Sequence, residues 1–376
     1  MARRLRLGMV GGGQGAFIGA VHRIASRLDD RWELVAGALS SDEGRARASA
    51  EALNIAPDRT YADFREMARA EAARPDGIDA VSVVTPNHVH APAAVAFLEA
   101  GIHVICDKPL AATMEQAEAI AAAARASRAR FVLTHNYTGY PLMRVAREMV
   151  ARGDLGTVQL VQAEYAQDWL TERVELQGSN KQAAWRTNPE MSGAGALGDI
   201  GTHAFNLAAF VTGLRAEAVL ADVHSYGEGR AVDDNAHVLL RYAGGARGML
   251  WASQVAPGNE NGLRLRVYGT KAGLAWEQEN PNVMVLSPLG EPKRLITRGG
   301  AGLGAQGGRW TRIPPGHPEG YLEGFATLYS DAADLIAGTG DGALLPGIED
   351  GLEGMWFIGA CLRSSRAGGA WVGRDG

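Results

Sequence analysis

The sequence predicts two joined folds. The first is a Rossmann-type doubly wound α/β domain with a parallel sheet. The second is an α+β domain with a large, mostly antiparallel open sheet. Three observations predict this. Short continuous apolar runs alternate with Ala/Arg/Glu-rich helical stretches over the first 135 residues, the pattern of a parallel sheet covered on both faces. After about residue 155 the strands come in pairs joined by glycine turns, the pattern of an antiparallel sheet. A length of 376 residues suits two or three domains. The expected division is 1–138 for the nucleotide-binding domain and 139–376 for substrate binding and oligomerisation, with the C-terminal helices packing back on the first domain.

In order, the strand patterns of the first domain are 5–10, 32–39, 78–85, 103–107 and 130–134. Helical stretches lie between them at 16–28, 43–53, 64–73, 92–100 and 114–126. In the second part, 158–165 reads as a strand and 197–212 as a helix. Residues 237–242 and 248–253 flank Ala243-Gly-Gly-Ala246, whose glycines are free to take positive φ. The runs 263–268 and 274–277, then 283–286 and 294–296, form further pairs. Residues 298–320 are rich in Gly and Pro and read as a long loop or lid, followed by helices at 321–336 and 348–363.

Composition excludes several function classes. Lys plus Arg is 37 and Asp plus Glu is 42, for a net charge of −5, without the basic excess of a nucleic-acid binder. No apolar run is long enough to span a membrane. The basic start MARRLRLGMVGGG breaks at glycines before it makes a signal segment. Cys106 and Cys361 form no CxxC and no disulfide framework, so the expected compartment is the reducing cytoplasm.

The first run ends in Gly11-Gly-Gly-Gln-Gly-Ala16 and leads into a helix opened by Phe17 and Ile18. Gly11, Gly13 and Ala16 fit the dinucleotide fingerprint G-x-G-x-x-G/A. The glycines give the tight turn and the close approach of a pyrophosphate, and the helix N-terminus favours an anion. Gln14 lies inside this loop and joins the cofactor-binding set. The bland alternative is an ordinary glycine-rich turn, but the position after the first strand favours NAD(P). At the end of the second run, where an acid would hold the ribose 2′-hydroxyl of NAD, the chain has Ser40, with Arg45 on the next turn. This pair favours NADP, although Asp42 could serve as the acid or as a helix N-cap.

Of the 37 basic residues only four are lysines, and one of them, Lys108, follows the run 103–107 at a carboxyl strand end, where ligands bind in open α/β sheets. Asp199 and His203 share one face of the expected helix at i, i+4, with Gly195, Gly198 and Gly201 around them. Glycine costs a helix interior about 1 kcal/mol against Ala, so three of them imply that something approaches closely.

The motifs GGGQGA, VVTPNHVH, CDKPL and GDIGTHAFNL, in this order, resemble the glucose-fructose oxidoreductase / inositol dehydrogenase / rhizopine-catabolism (Gfo/Idh/MocA) family over nearly the whole chain. The resemblance implies a catalytic set of Lys108, Asp199 and His203, and a cofactor strand end at Thr85, Pro86, Asn87 and His90. It also implies a nicotinamide-side role for Asp107, which stands where the family usually has Glu, and a cleft position for Asn136. Tyr137, Trp185 and Arg186 are expected near the substrate. The implied activity is hydride transfer between nicotinamide and a secondary hydroxyl of a sugar, cyclitol or glycoside, in a homo-oligomer (dimer or tetramer). A sheet face left uncovered by helices would expose an apolar patch for that assembly, and alternating Val238, Leu240 and Tyr242 could supply one side of it. His203 suits a general base near neutral pH. Lys108 would stabilise developing alkoxide charge, and Asp199 would orient the substrate. Two other readings are a metal-dependent hydrolase using His88, His90, Asp199 and His203, and a non-catalytic NAD(P) sensor. The first leaves the glycine loop unused, and the second leaves the Lys–Asp–His set without purpose.

Overall fold

The computed structural model describes residues 3–177, 181–303 and 308–374. The chain divides into two compact units, Met1–Gly139 with Tyr321–Glu353, and Tyr140–Gly320 with Gly354–Gly376.

The first unit holds a five-stranded parallel sheet of β1 (Leu5–Gly11), β2 (Trp32–Ala38), β3 (Ala80–Val84), β4 (His103–Cys106) and β5 (Phe131–Leu133), in the order β2-β1-β3-β4-β5. All five strands fall where the apolar runs predict them. Every residue of β3 is buried, which is why the run Ala-Val-Ser-Val-Val shows no alternation. The intervening helices are α1 (Phe17–Leu28), α2 (Glu43–Ala52), α3 (Phe64–Ala73), α4 (Asn87–Glu99) and α5 (Met114–Ala126). Helix α4 starts earlier than Pro92, so that proline lies inside the helix instead of opening it. After the second unit the chain returns as helix Tyr321–Ala337. Its Phe325, Tyr329, Ala332 and Ala333 join Leu7, Val21, Ala25, Trp32, Ala80, Ile105 and Val132 in one buried cluster. The strand order reverses direction between β1 and β3. That switch point puts a ligand crevice at the carboxyl ends of these two strands.

The second unit opens with α6 (Pro141–Ala151), and its described residues form a sheet of nine strands. These are β6 (Val158–Ala166), β7 (Ala216–His224), β8 (Asn235–Tyr242), β9 (Arg247–Ser253), β10 (Gly262–Gly269), β11 (Ala272–Glu277), β12 (Val283–Pro288), β13 (Arg294–Thr297) and β14 (Val372–Gly373). Their order is β13-β12-β11-β10-β6-β9-β8-β7-β14, antiparallel throughout except for the central pair β6 and β9. The turn between β8 and β9 uses Gly244 and Gly245 at φ +79° and +95°, conformations glycine reaches without steric cost. β7 and β14 were not expected from the sequence.

One face of this sheet is covered. Helix Thr202–Thr212 lies on β6, β9 and β10, and its Phe205 stacks on Phe357 with ring centroids 4.3 Å apart. Val238, Leu240 and Tyr242 of β8 point into that core, so they are not the apolar surface that their alternation offered; the exposed side of β8 is His237, Leu239 and Arg241. Period-2 alternation separates two faces without saying which one helices cover. The stretch expected as a lid is pinned in its described part. Buried Arg298 pairs with Glu319 at 3.0 Å and donates to the carbonyls of Ile313, Pro314 and His317. Residues 304–307 of that stretch lie outside the described residues.

Candidate functional site

In the first unit the site begins at the glycine loop. Gly11 and Gly12 follow β1 at φ +78° and +73°, a region open to glycine and strained for other residues. A Cβ on Gly11 would sit 2.8 Å from Thr85 Cγ2, and one on Gly13 would sit 2.7 Å from the Leu39 carbonyl oxygen. The loop is therefore wedged between the ends of β2 and β3. The close helix contact is made by Gly19, which the sequence reading missed: a Cβ there would meet Gly12 Cα at 2.4 Å. Its signal was present as a glycine one turn into α1. Ala16 is the N-cap residue of α1 and offers no side-chain cap, and exposed Phe17 opens the helix with Ile18 behind it. An uncapped N-terminus beside a cradle that Cβ atoms would fill is the arrangement an anion completes. The Gln14 amide donates to Ser49 Oγ, so the loop is also tied to α2.

At the end of β2, Asp42 is the N-cap of α2 and accepts from the Arg45 amide at 2.7 Å. Ser40 Oγ accepts from the Asp42 amide. The Arg45 side chain is exposed.

Further groups stand at the carboxyl ends of β3 and β5. Among the described residues, Thr85 Oγ1, after β3, is buried with no hydrogen-bond partner, and so is Asn136 Nδ2, after β5. Buried donors and acceptors left without partners are rare, and a bound ligand is one way to satisfy them. Pro86 and Asn87 start α4, and Asn87 is buried. His90 braces this region: one ring nitrogen faces Thr85 O at 3.0 Å and the other faces Pro109 O at 2.9 Å. Burial lowers the His90 pKa.

Asp107 and Lys108 follow β4, and the Lys108–Pro109 peptide bond is cis. Asp107 Oδ1 accepts from the Lys108 amide at 3.0 Å and from Thr134 Oγ1 at 2.9 Å. Burial works against the charge of Asp107, but His22, then Lys108 and His90, outweigh it and hold the carboxyl well below its usual range. His135 is pushed down to about 3, by burial first and by Lys108 second. Tyr137 is buried, with its ring 6.5 Å from that of Tyr321.

In the second unit Asp199 and His203 do not lie on one continuous α-helix. Leu197–Gly201 is a π-helical turn, with the Thr202 amide reaching back to Leu197 O, and the α-helix proper runs from Thr202. Single π turns are frequent at functional sites. The i, i+4 spacing was read as α geometry throughout, whereas Asp199 lies in the π turn and His203 in the first turn of the α-helix. The glycines answer a close approach: a Cβ on Gly195 would lie 1.7 Å from Asp233 O, and the Asp233 carboxylate accepts from the amides of Gly195 and Leu197. Asp199 Oδ2 accepts from Gln254 Nε2 at 2.9 Å and lies 3.2 Å from Arg186 Nε. The Arg186 guanidinium stacks on the Trp185 ring. His203 is buried beside Tyr165, with ring centroids 6.2 Å apart. From Asp199 a row of neutral side chains continues. Gln167 Nε2 donates to Asn261 Oδ1, as does the Tyr165 hydroxyl; Asn261 Nδ2 donates to Gln278 Oε1; and Trp169 Nε1 donates to Gln167 Oε1. The sequence reading did not include these amides, because lone Gln and Asn residues carry no spacing signal.

Among the described residues, no group of three or more His, Cys, Asp or Glu side chains is placed to hold a metal ion.

Residues 5–135 match the family described as "Oxidoreductase family, NAD-binding Rossmann fold", and residues 143–275 match the GFO/IDH/MocA C-terminal domain. An oxidoreductase from Sinorhizobium meliloti is 56% identical, with a TM-score of 0.91 over 99% of this chain and 100% of that one. An inositol dehydrogenase homolog from Azotobacter vinelandii complexed with NAD+ is 39% identical, with a TM-score of 0.95 over 99% and 98%. A second structure of an inositol dehydrogenase homolog from that organism holds NADH and myo-inositol and is 38% identical, with a TM-score of 0.92 over 99% and 98%. Levoglucosan dehydrogenase from Pseudarthrobacter phenanthrenivorans is 29% identical over 74% of each chain. A glycine cradle on a parallel sheet, a mostly antiparallel second sheet and matches across both thus agree, and the chain belongs to the GFO/IDH/MocA family of NAD(P)-dependent oxidoreductases.

Proposed function

We propose that this chain oxidises a secondary hydroxyl of a neutral cyclitol or sugar, with Lys108, Asp199 and His203 as its catalytic residues. The observation that carries the reading is Lys108 itself. It is one of four lysines in the chain, and it stands at a carboxyl strand end in the same unit as the glycine cradle. Unit Met1–Gly139 serves as the cofactor domain, with Gly11, Gly13, Gln14, Ala16, Thr85 and Asn136 against NAD(P) and Asp107 towards the nicotinamide ribose. Bound there, NAD(P) would supply the hydride acceptor for the substrate carbinol. Lys108 donates to the substrate oxygen and stabilises the negative charge that grows there. His203 takes the hydroxyl proton. Asp199 accepts from a neighbouring substrate hydroxyl.

The amide row beside Asp199 supports a neutral polyol. Gln254, Gln167 and Asn261 both donate and accept, as hydroxyls do, and Arg186 is already paired with Asp199. A phosphorylated or acidic sugar would call for unpaired cations instead.

At the ribose 2′ position we take NAD(H) as the working cofactor, since the Azotobacter vinelandii proteins are complexed with NAD+ and NADH. Ser40 and Arg45, which favoured NADP on sequence, are the groups that would admit a 2′-phosphate. The chain is also proposed to be a cytoplasmic homo-oligomer. Both cysteines are buried and free, in keeping with a reducing compartment, and no described helix is long and apolar enough to cross a membrane.

The test is a panel of myo-inositol, its epimers, aldoses and 1,6-anhydrosugars, assayed with NAD+ and NADP+ by absorbance of the reduced nicotinamide. Turnover of at least one neutral polyol is expected. Turnover confined to phosphorylated or acidic sugars would overturn the substrate class.

A further inference from the structure

A buried polar chain lies behind Asp107, and nothing in the mechanism above uses it. His22 on α1 is fully buried. Its Nδ1 lies 2.9 Å from the Tyr329 hydroxyl and 3.2 Å from Ser82 Oγ, and those two oxygens are 2.9 Å apart. Its Nε2 has no hydrogen-bond partner among the described residues and lies 3.9 Å from Asp107 Oδ1. Tyr329 is held in turn, because its carbonyl accepts from Trp32 Nε1 at 2.8 Å. Phe325 packs on the imidazole with ring centroids 4.9 Å apart.

The protons of this chain can be assigned. A carboxylate only accepts, so the imidazole nitrogen facing Asp107 carries the hydrogen, and Nδ1 is then an acceptor. The Tyr329 hydroxyl donates to Nδ1, and Ser82 donates to the Tyr329 oxygen. Each hydroxyl hydrogen is used once, and every donor points towards Asp107. The remaining gap is about one ångström beyond hydrogen-bond length, within reach of a small rotation of the carboxylate.

We propose that His22, backed by Tyr329 and Ser82, is a positioning residue that presents Asp107 to the cofactor. The inference rests on the reading that places Asp107 beside the nicotinamide ribose. Oδ1 is occupied on the protein side by Thr134 and the Lys108 amide. With His22 Nε2–H as a third donor to that oxygen, the carboxylate plane is fixed and Oδ2 is left for the ribose. The turn that carries Lys108 is then fixed with it. Tyr329 comes from the helix that returns after the second unit, so a residue late in the chain acts on the site at β4.

The test uses the full-length protein and NADH. Long-range ¹⁵N spectra of the imidazoles should show His22 as the Nε2–H tautomer. Tyr329→Phe keeps the ring and should weaken NADH binding, read by fluorescence, about three- to tenfold, the range of one hydrogen bond. It should lower kcat by a similar factor while leaving KM for the polyol unchanged. In an Asp107→Asn background the same substitution should add almost nothing, because the two residues act as one unit. Ser82→Ala, a smaller change, should follow the same pattern and serves if Tyr329→Phe does not fold. Lowered Tm with unchanged NADH affinity and kcat would make the chain a packing feature and overturn the proposal, as would an Nδ1–H tautomer or full additivity with Asp107→Asn. If the wild type binds NADH but oxidises no polyol, the functional reading fails, and the tautomer and binding arms still decide the role of His22.

Discussion

At the scale of single residues, the roles proposed for Lys108 and His203 make different predictions. Lys108→Ala should abolish polyol oxidation and leave NADH binding largely intact, because the loop proposed to hold the pyrophosphate, Gly11–Gly13, follows a separate strand, β1. His203→Ala should cut turnover by about 10²–10⁴-fold, the usual range for loss of a general base. Wild-type turnover by His203→Ala on a confirmed substrate would move the base elsewhere, with Tyr137 next in line. Arg45 gives a cofactor test. Arg45→Ala should weaken NADP(H) binding about tenfold, as for one charge-assisted contact, and leave NAD(H) binding unchanged. Equal effects on both cofactors would show that Arg45 does not reach the 2′ position. The sequence made Lys108 legible through rarity and placement. It left Asp42 open between two roles, and the N-cap bond to Arg45 is one a sequence cannot choose over a ribose contact.

At the scale of elements, the five parallel strands and the glycine loop were readable because buried parallel strands and positive-φ turns leave direct signatures in residue type, whereas β7 and β14 of the second sheet were not. The π turn at Leu197–Gly201 was not readable, because its apolar spacing is also that of an α-helix. What permits it is local: Gly198 and Gly201 leave room, and Asp233 accepts from the amides of Gly195 and Leu197 just ahead of it. The turn after β5 carries a pH prediction. His135 is pushed down to about 3 from an ordinary 6.5, by burial first. A histidine whose folded value lies below its unfolded one contributes stability above pH 6.5 and loses it as the pH falls towards 3, because the unfolded chain binds the extra proton. His90 is lowered in the same direction by the same cause. Thermal unfolding should therefore move to lower temperature between pH 7 and pH 4, and the slope should flatten in a folded His135→Gln variant. An unchanged slope in that variant would assign the acid sensitivity to other groups.

At the scale of the whole molecule, the sheet of the second unit has helix Thr202–Thr212 on one face, and its other face, among the described residues of that unit, is open. On the open face β6, β8, β9 and β10 place Leu239 opposite Met249, Met249 opposite Gln162, His237 opposite Trp251, and Leu160 opposite Tyr268. Leu160, Leu239, Met249 and Tyr268 are each more than a third exposed. Around them Glu164 pairs with Arg266 and with Arg264. Apolar and aromatic groups with a border of paired charges have the make-up of a protein interface. A contiguous exposed patch of this kind is uncommon on a monomer. The sequence pointed to an oligomer but assigned the wrong face of β8. The correction makes a sharper test, because the two sets of residues now predict opposite outcomes. Sedimentation at micromolar concentration should show a dimer or tetramer. Leu239→Lys with Met249→Lys should give a folded monomer of unchanged Tm at high dilution, since both side chains lie outside the core. Val238→Lys should instead unfold the unit, because that side chain is buried. A wild type that sediments only as a monomer, or a double variant that stays assembled, would remove this face as the contact.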